Sequence, residues 1–143
     1  MDKEIVRKFL NKRNVIAVVG ASRDPKKYGN YVYRELKKAG YRVYPMNPSS
    51  EKILGDKSFP SLGDLPIKPD VVDIVVPPAI SKKVVRDCVR LGIKNVWMQP
   101  GSESDDVIKF CMDNGISVVH GSCIVRDGIK TQKIEHESHR GRT

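Results

Sequence analysis

Buried-type strands alternating with one-faced helices predict an α/β chain: a doubly wound, mainly parallel five-stranded sheet with helices on both faces. Three observations carry this expectation. Val15-Ile-Ala-Val-Val19 is an unbroken apolar run rich in β-branched residues, the pattern of a strand covered on both sides. Three of the helix-periodic segments are followed by a glycine, Gly40, Gly92 and Gly115, where a left-handed helix terminus is expected. The connections between these segments are mostly short, which favours one interleaved α/β layer system over separate α and β layers.

Taken in order, Asp2 is a candidate cap for a first helix whose apolar positions Ile5, Val6, Phe9 and Leu10 share one side. Strand one follows over Val15 to Val19. A second helix starts near Tyr28, with Val32, Leu36 and Ala39 at helical spacing, and Tyr41-Arg-Val-Tyr44 supplies strand two. Pro45 to Pro69 is long for a plain loop; Ile53 to Phe59 is expected to hold a short extended piece and Ser61 to Leu65 a helical turn. Asp70 to Val76 reads as strand three, Ser81 to Leu91 as a helix with Val84, Cys88 and Leu91 inward, and Lys94 to Met98 as strand four. Ser102-Glu-Ser-Asp105 matches a capping box opening a helix with Val107, Ile108, Cys111 and Met112 inward; Ile116 to Val119 is strand five. Residues 1–143 are expected to form one domain, with a polar tail over about 128–143 whose last residues move freely.

The 143 residues carry 26 Lys and Arg against 17 Asp and Glu, a net charge of +9 that favours an anionic partner. That sign alone does not choose among nucleic acid, an anionic membrane surface and a multiply phosphorylated small molecule. Scattered basic residues without an aromatic platform argue against nucleic acid. The longest apolar run, about five residues, is far below the roughly 20 that span a bilayer, and the amino terminus has no signal-peptide core. A cytoplasmic setting is expected, and three cysteines without C-x-x-C spacing suggest reduced thiols.

In an open α/β sheet the ligand crevice lies beyond the carboxyl ends of the strands. The turn Gly20-Ala-Ser-Arg-Asp-Pro-Lys-Lys-Tyr-Gly29 sits there, between strand one and a helix amino terminus. Gly20 and Ala21 permit close approach of a diphosphate, Ser22 offers a hydroxyl, and Arg23, Lys26 and Lys27 supply cations. A side chain at Gly20 is expected to crowd the diphosphate while leaving the protein folded. The competing reading is a tight turn with a solvated charged surface. The turn satisfies neither the G-x-G-x-x-G nor the G-x-x-x-x-G-K-[ST] pattern. Strand two ends in Tyr44-Pro-Met-Asn-Pro48, without the carboxylate that holds a free ribose, and Lys52 follows; NADP and coenzyme A both suit a phosphorylated ribose.

Several motifs in order resemble the small CoA-binding domain family, which is similar to the CoA-binding part of the succinyl-CoA synthetase α subunit. They are Val18-Val-Gly-Ala-Ser-Arg-Asp-Pro25, Tyr28-Gly-Asn30, Gly40-Tyr-Arg-Val-Tyr-Pro-Met-Asn-Pro48, Leu54-Gly55, Val75-Val-Pro-Pro78, Val96-Trp-Met-Gln-Pro-Gly101 and Cys123. The resemblance runs from about Asn11 to Val125. It implies a Rossmann-like fold and coenzyme A, or an acyl-CoA, as ligand. It further implies that Gly20, Ala21 and Ser22, with Arg23 and Asn30 nearby, hold the diphosphate. Asn47 and Pro48 would flank the adenosine portion, with Lys52 at the 3′-phosphate. Pro77, Pro78 and Ile80 would carry the pantetheine arm, and Gln99 and Pro100 would approach the thiol.

Binding without catalysis is the expectation, in a carrier, a sensor or a subunit of a homo-oligomer or larger assembly; an NADP-dependent oxidoreductase is the alternative. The sequence offers no Ser-His-Asp arrangement or metal-ligand spacing. His120 follows strand five and is expected to be structural, and His136 and His139 fall in the polar tail. Succinyl-CoA synthetase requires a phosphorylated histidine on a further domain, which these residues do not include. Cys123, on the ligand side with Arg126 nearby, is either a small buried side chain or a thiol that meets the CoA thiol. Cys88, Cys111 and Trp97 are expected in the core.

Overall fold

The computed structural model describes residues 1–134, so His136 and His139 lie outside the described residues. Seven strands and four helices follow the expected alternation: α1 (Lys3–Phe9), β1 (Val15–Val19), α2 (Tyr28–Lys38), β2 (Arg42–Met46), β3 (Lys52–Ile53), β4 (Asp56–Lys57), β5 (Val71–Ile74), α3 (Pro78–Leu91), β6 (Asn95–Met98), α4 (Asp105–Asp113) and β7 (Ser117–Val119). Five strands form one parallel sheet in the order β2-β1-β5-β6-β7. The order reverses between β1 and β5, so the crevice of this topology falls where those two strands end.

Each sheet face has its own core. α1 and α2 cover one through Val6, Phe9, Val32, Tyr33 and Leu36, packed on Ile16, Val18 and Trp97. α3 and α4 cover the other through Val84, Val85, Cys88, Val107 and Cys111, packed on Ala17, Val72, Ile74 and Met98. Burial raises the thiol pKa values of Cys88 to about 12 and Cys111 to about 11, as expected of packing residues. Trp97 is fully buried, meets Phe9 edge-on at 5.8 Å, and donates its indole N–H to the Ser122 carbonyl at 2.8 Å.

Several sequence expectations shift. Asp2 does cap α1, accepting from the Glu4 amide at 2.9 Å, but Ile5 is exposed. α3 begins three residues earlier than its apolar stripe suggests, because Pro77 caps it and Pro78 occupies its first position, where a missing N–H costs nothing. α4 is capped by Ser104, which accepts from the Val107 amide; Ser102 is buried ahead of the helix, and Met112, expected inward, is exposed. The excursion after β2 contains the β3–β4 hairpin, turned at Leu54 and Gly55 with φ of 49° and 82°. Ile53 anchors this hairpin in the core, and Asp56 accepts from Lys37 at 2.8 Å and from the Tyr33 hydroxyl. A 3-10 turn over Leu62–Asp64 fills the expected helical position.

The largest departure lies after β7. Ile124–Ile129 forms a π-helical turn that continues as helix over residues 130–134, with Ile124, Gly128 and Ile129 buried. A β-carbon on Gly128 would stand 3.0 Å from Leu10 and 3.1 Å from Trp97. Residues 128 and 129 are therefore core, not tail. Among the described residues no helix is long and apolar enough to cross a membrane.

Asp73 is fully buried in the central strand β5, and among the described residues neither carboxyl oxygen has a hydrogen-bond partner. Burial raises its pKa well above the usual aspartate value, so the folded protein holds a proton that the unfolded chain releases. The resulting stability is complete below the unfolded pKa and is lost as pH rises toward the folded one. Thermal melts between about pH 5 and about pH 8 should show the native chain losing stability relative to Asp73→Asn as pH rises. Parallel curves for the two proteins would contradict this account of Asp73.

Candidate functional site

The carboxyl ends of β1, β2, β5 and β6 open into one cleft of about 760 Å³. The turn after β1 contributes Gly20 and Ser22, the end of β2 contributes Asn47 and Pro48, and the end of β5 contributes Val75, Val76 and Pro77. Pro100 and Gly101 after β6, together with Ile80, Lys83, Val84 and Asp87 along α3, complete much of the wall. The site thus occupies the switch point set by strand order.

Two glycines shape the turn for separate reasons. Gly20 has φ of 99°, and a β-carbon there would lie 2.8 Å from a Val76 methyl and 2.9 Å from the Val75 carbonyl oxygen. A larger residue would force β1 and β5 apart, so the expectation that substitution affects the ligand alone is corrected. Gly29 allows the start of α2 to rest on the turn, since its β-carbon would be 1.9 Å from the Gly20 oxygen. The turn is tied down by side-chain amides: Asn30 donates to the Ser22 carbonyl and Asn47 to the Ala21 carbonyl, each at 2.9 Å. Among the described residues, the backbone N–H groups of Ala21, Ser22 and Arg23 and of Tyr28 and Gly29 have no protein acceptor. Unpaired amides at a helix amino terminus are suited to receive an anion.

Eight of the residues singled out by sequence line the cleft: Gly20, Ser22, Lys27, Asn47, Pro48, Pro77, Ile80 and Pro100. The other seven do not, for reasons visible in their contacts. Ala21 is buried beneath the turn, Asn30 is nearly fully buried as its brace, and Pro78 starts α3. Arg23 and Lys26 point outward as exposed side chains, and Lys52 pairs with Lys57 across the hairpin. Gln99 is fully buried: its Oε1 accepts from the Ile124 amide at 3.0 Å, and its Nε2 donates to the Tyr28 hydroxyl at 2.6 Å and to Cys123 Sγ at 3.2 Å. Cys123 is likewise buried, and His120 is exposed outside the cleft wall.

The cleft's cations are Lys27 and Lys83, on separate walls. Sequence reading named Lys27 among the turn's cations but missed Lys83, which lies with Ile80, Val84 and Asp87 at helical spacing. The Pro77-Pro78 start signal would have exposed that stripe by extending α3 backward.

A family description of the CoA binding domain matches residues 14–128. The chain belongs to the CoA-binding domain family. It is 32% identical over 127 residues to the acetate–CoA ligase [ADP-forming] II subunit alpha of Pyrococcus furiosus, covering 81% of this chain and 28% of that protein. Its fold matches that of a hypothetical protein from Pyrococcus horikoshii OT3 with a TM-score of 0.84 and 32% identity, over 92% of each chain. It also matches the apo dinucleotide forming acetyl-coenzyme A synthetase 1 of Ca. Korarchaeum cryptofilum with a TM-score of 0.66 and 32% identity, over 79% of this chain and 27% of that one. The chain therefore spans less than a third of the P. furiosus ligase subunit.

Gly29→Ala should strain the contact between turn and helix and lower stability by about 1–3 kcal/mol, the usual cost of overpacking. Urea denaturation measures it. A variant as stable as the native protein would show that the start of α2 can lift from the turn at little cost.

Proposed function

We propose that this CoA-binding domain captures coenzyme A, or an acyl-CoA, in the cleft beyond β1 and β5 without transforming it. The observation that carries the reading is the set of amides of Ser22, Tyr28 and Gly29, residues that line the cleft at the switch point of a CoA-family fold and whose N–H groups have no protein acceptor among the described residues. The diphosphate lies on those amides, with Lys27 on one wall and Lys83 on another as cations. Asn47 and Pro48 flank the adenosine portion. Pro77, Ile80 and Pro100 give the pantetheine arm rigid or apolar surface, as ligand clefts commonly provide.

The named P. furiosus relative is a ligase subunit, so a partner subunit belongs to this proposal as a route by which captured CoA is used. Three free cysteines, all buried, favour work in a reducing compartment such as the cytoplasm.

CoA at about 100 times its Kd should stabilise the protein by roughly 2.7 kcal/mol, read as a rise in Tm. NADPH at the same concentration should give little shift. A shift with NADPH and none with CoA would reject the proposal in favour of a nicotinamide-dependent activity. Lys83→Ala should weaken CoA binding by about tenfold, equivalent to about 1.4 kcal/mol, with a flatter dependence on salt. Isothermal calorimetry at two salt concentrations tests this; unchanged affinity and salt dependence would remove Lys83 from the site.

A further inference from the structure

Cys88 and Cys111 lie together in the apolar layer between α3, α4 and the sheet. Cys123 has different company. Its Sγ accepts from Gln99 Nε2 at 3.2 Å and from the Arg126 amide at 3.5 Å. Two N–H donors thus converge on this sulfur, a polar setting that the other two thiols lack.

Tyr28 belongs to both this cluster and the cleft. It lines the cleft and is 38% exposed, while its hydroxyl receives the Gln99 amide. Pro100, next to Gln99, also lines the cleft. The thiol cluster therefore lies behind the cleft wall at the end of β6.

A second observation points to the same place. Asp73 shares a face of β5 with Val71 and Val75 and pairs in register with Trp97, two residues before Gln99. Among the described residues, both of its fully buried oxygens lack partners. A buried carboxyl left unsatisfied marks room in the hydrogen-bond network for a polar group that the chain does not supply.

We propose that Cys123 is a thiol–disulfide exchange site for a CoA disulfide seated in the cleft. This rests on the CoA reading above. The Cys123 thiolate attacks one sulfur of the bound disulfide; the Cys123–CoA sulfur–sulfur bond forms as the original sulfur–sulfur bond breaks. The second CoA leaves as a thiolate and takes a proton from water, while the proton given up by Cys123 passes to cleft water past the Tyr28 hydroxyl. One disulfide replaces another, so no further oxidant enters. Rotation of Tyr28, an exposed side chain at the first residue of α2, opens the sulfur to the cleft; such rotations are fast compared with exchange chemistry.

The test incubates reduced native protein with CoA disulfide or with glutathione disulfide at equal concentration, quenches with acid, and maps adducts by peptide mass spectrometry. One CoA should appear on the Cys123 peptide, about tenfold or more faster than glutathione, because the nucleotide part holds the disulfide beside the thiol. The adduct should be reversed by dithiothreitol and absent from Cys123→Ser. The native map assigns the cysteine even if that variant fails to fold. Labelling at another cysteine, equal rates with the two disulfides, or no adduct on protein that binds CoA by calorimetry would overturn the Cys123 assignment and leave the CoA reading intact. Absence of CoA binding by calorimetry would overturn both.

Discussion

The carboxyl edge depends on one contact, the seating of Gly29 against the carbonyl of Gly20. With only 1.9 Å between that oxygen and the place a β-carbon would occupy, α2 can begin against the turn only if its second residue has no side chain. The contact sets Tyr28 and Gly29 against the turn, so that they line the cleft together with Ser22. It also directs Tyr28 across the cleft to Gln99 at the end of β6. The role corresponds to that of the last glycine in dinucleotide-binding turns, which permits close packing of helix on strand. Here the residues are spaced differently, so the role survives where the sequence pattern does not.

The sheet is largely legible in the sequence because both its faces are covered. Runs such as Val15 to Val19 must then be apolar at every position, and β1 has the bounds that run predicts. Legibility fails where burial comes from a contact distant in sequence. Gly128 and Ile129 carry little local pattern, yet Trp97 and Leu10 leave a space that Gly128 fits. Met112 fails in the opposite sense: it continues an apolar stripe on α4 but extends past the edge of the layer into solvent.

The site is legible in its backbone and less so in its charges. Glycine and proline restrict the main chain locally, so Gly20, Pro48, Pro77 and Pro100 can be placed from sequence. A lysine reaches whatever its helix or hairpin faces, and that is a tertiary property. Lys52 is close to the end of β2 in sequence, but the β3–β4 hairpin holds it opposite Lys57 and away from the cleft. Lys83 is remote in sequence and lies on the cleft wall because α3 starts at Pro78 and presents every third or fourth residue to it.

Gln99 shows why the chain beyond β7 belongs to the site. The Ile124 amide requires an acceptor, so the Gln99 side-chain oxygen must face it, and the side-chain nitrogen is thereby turned toward Tyr28 and Cys123. Asp127 fixes the same segment by accepting from the Cys123 amide at 2.8 Å, with Arg126 holding the Asp127 carboxylate. Displacing Ile124 would free the amide of Gln99 to turn, and Tyr28 would lose its donor on the cleft wall. The C-terminal turn thus sets the orientation of a side chain at the cleft without entering it. Any group that ordered or displaced that turn would act on the cleft through Gln99.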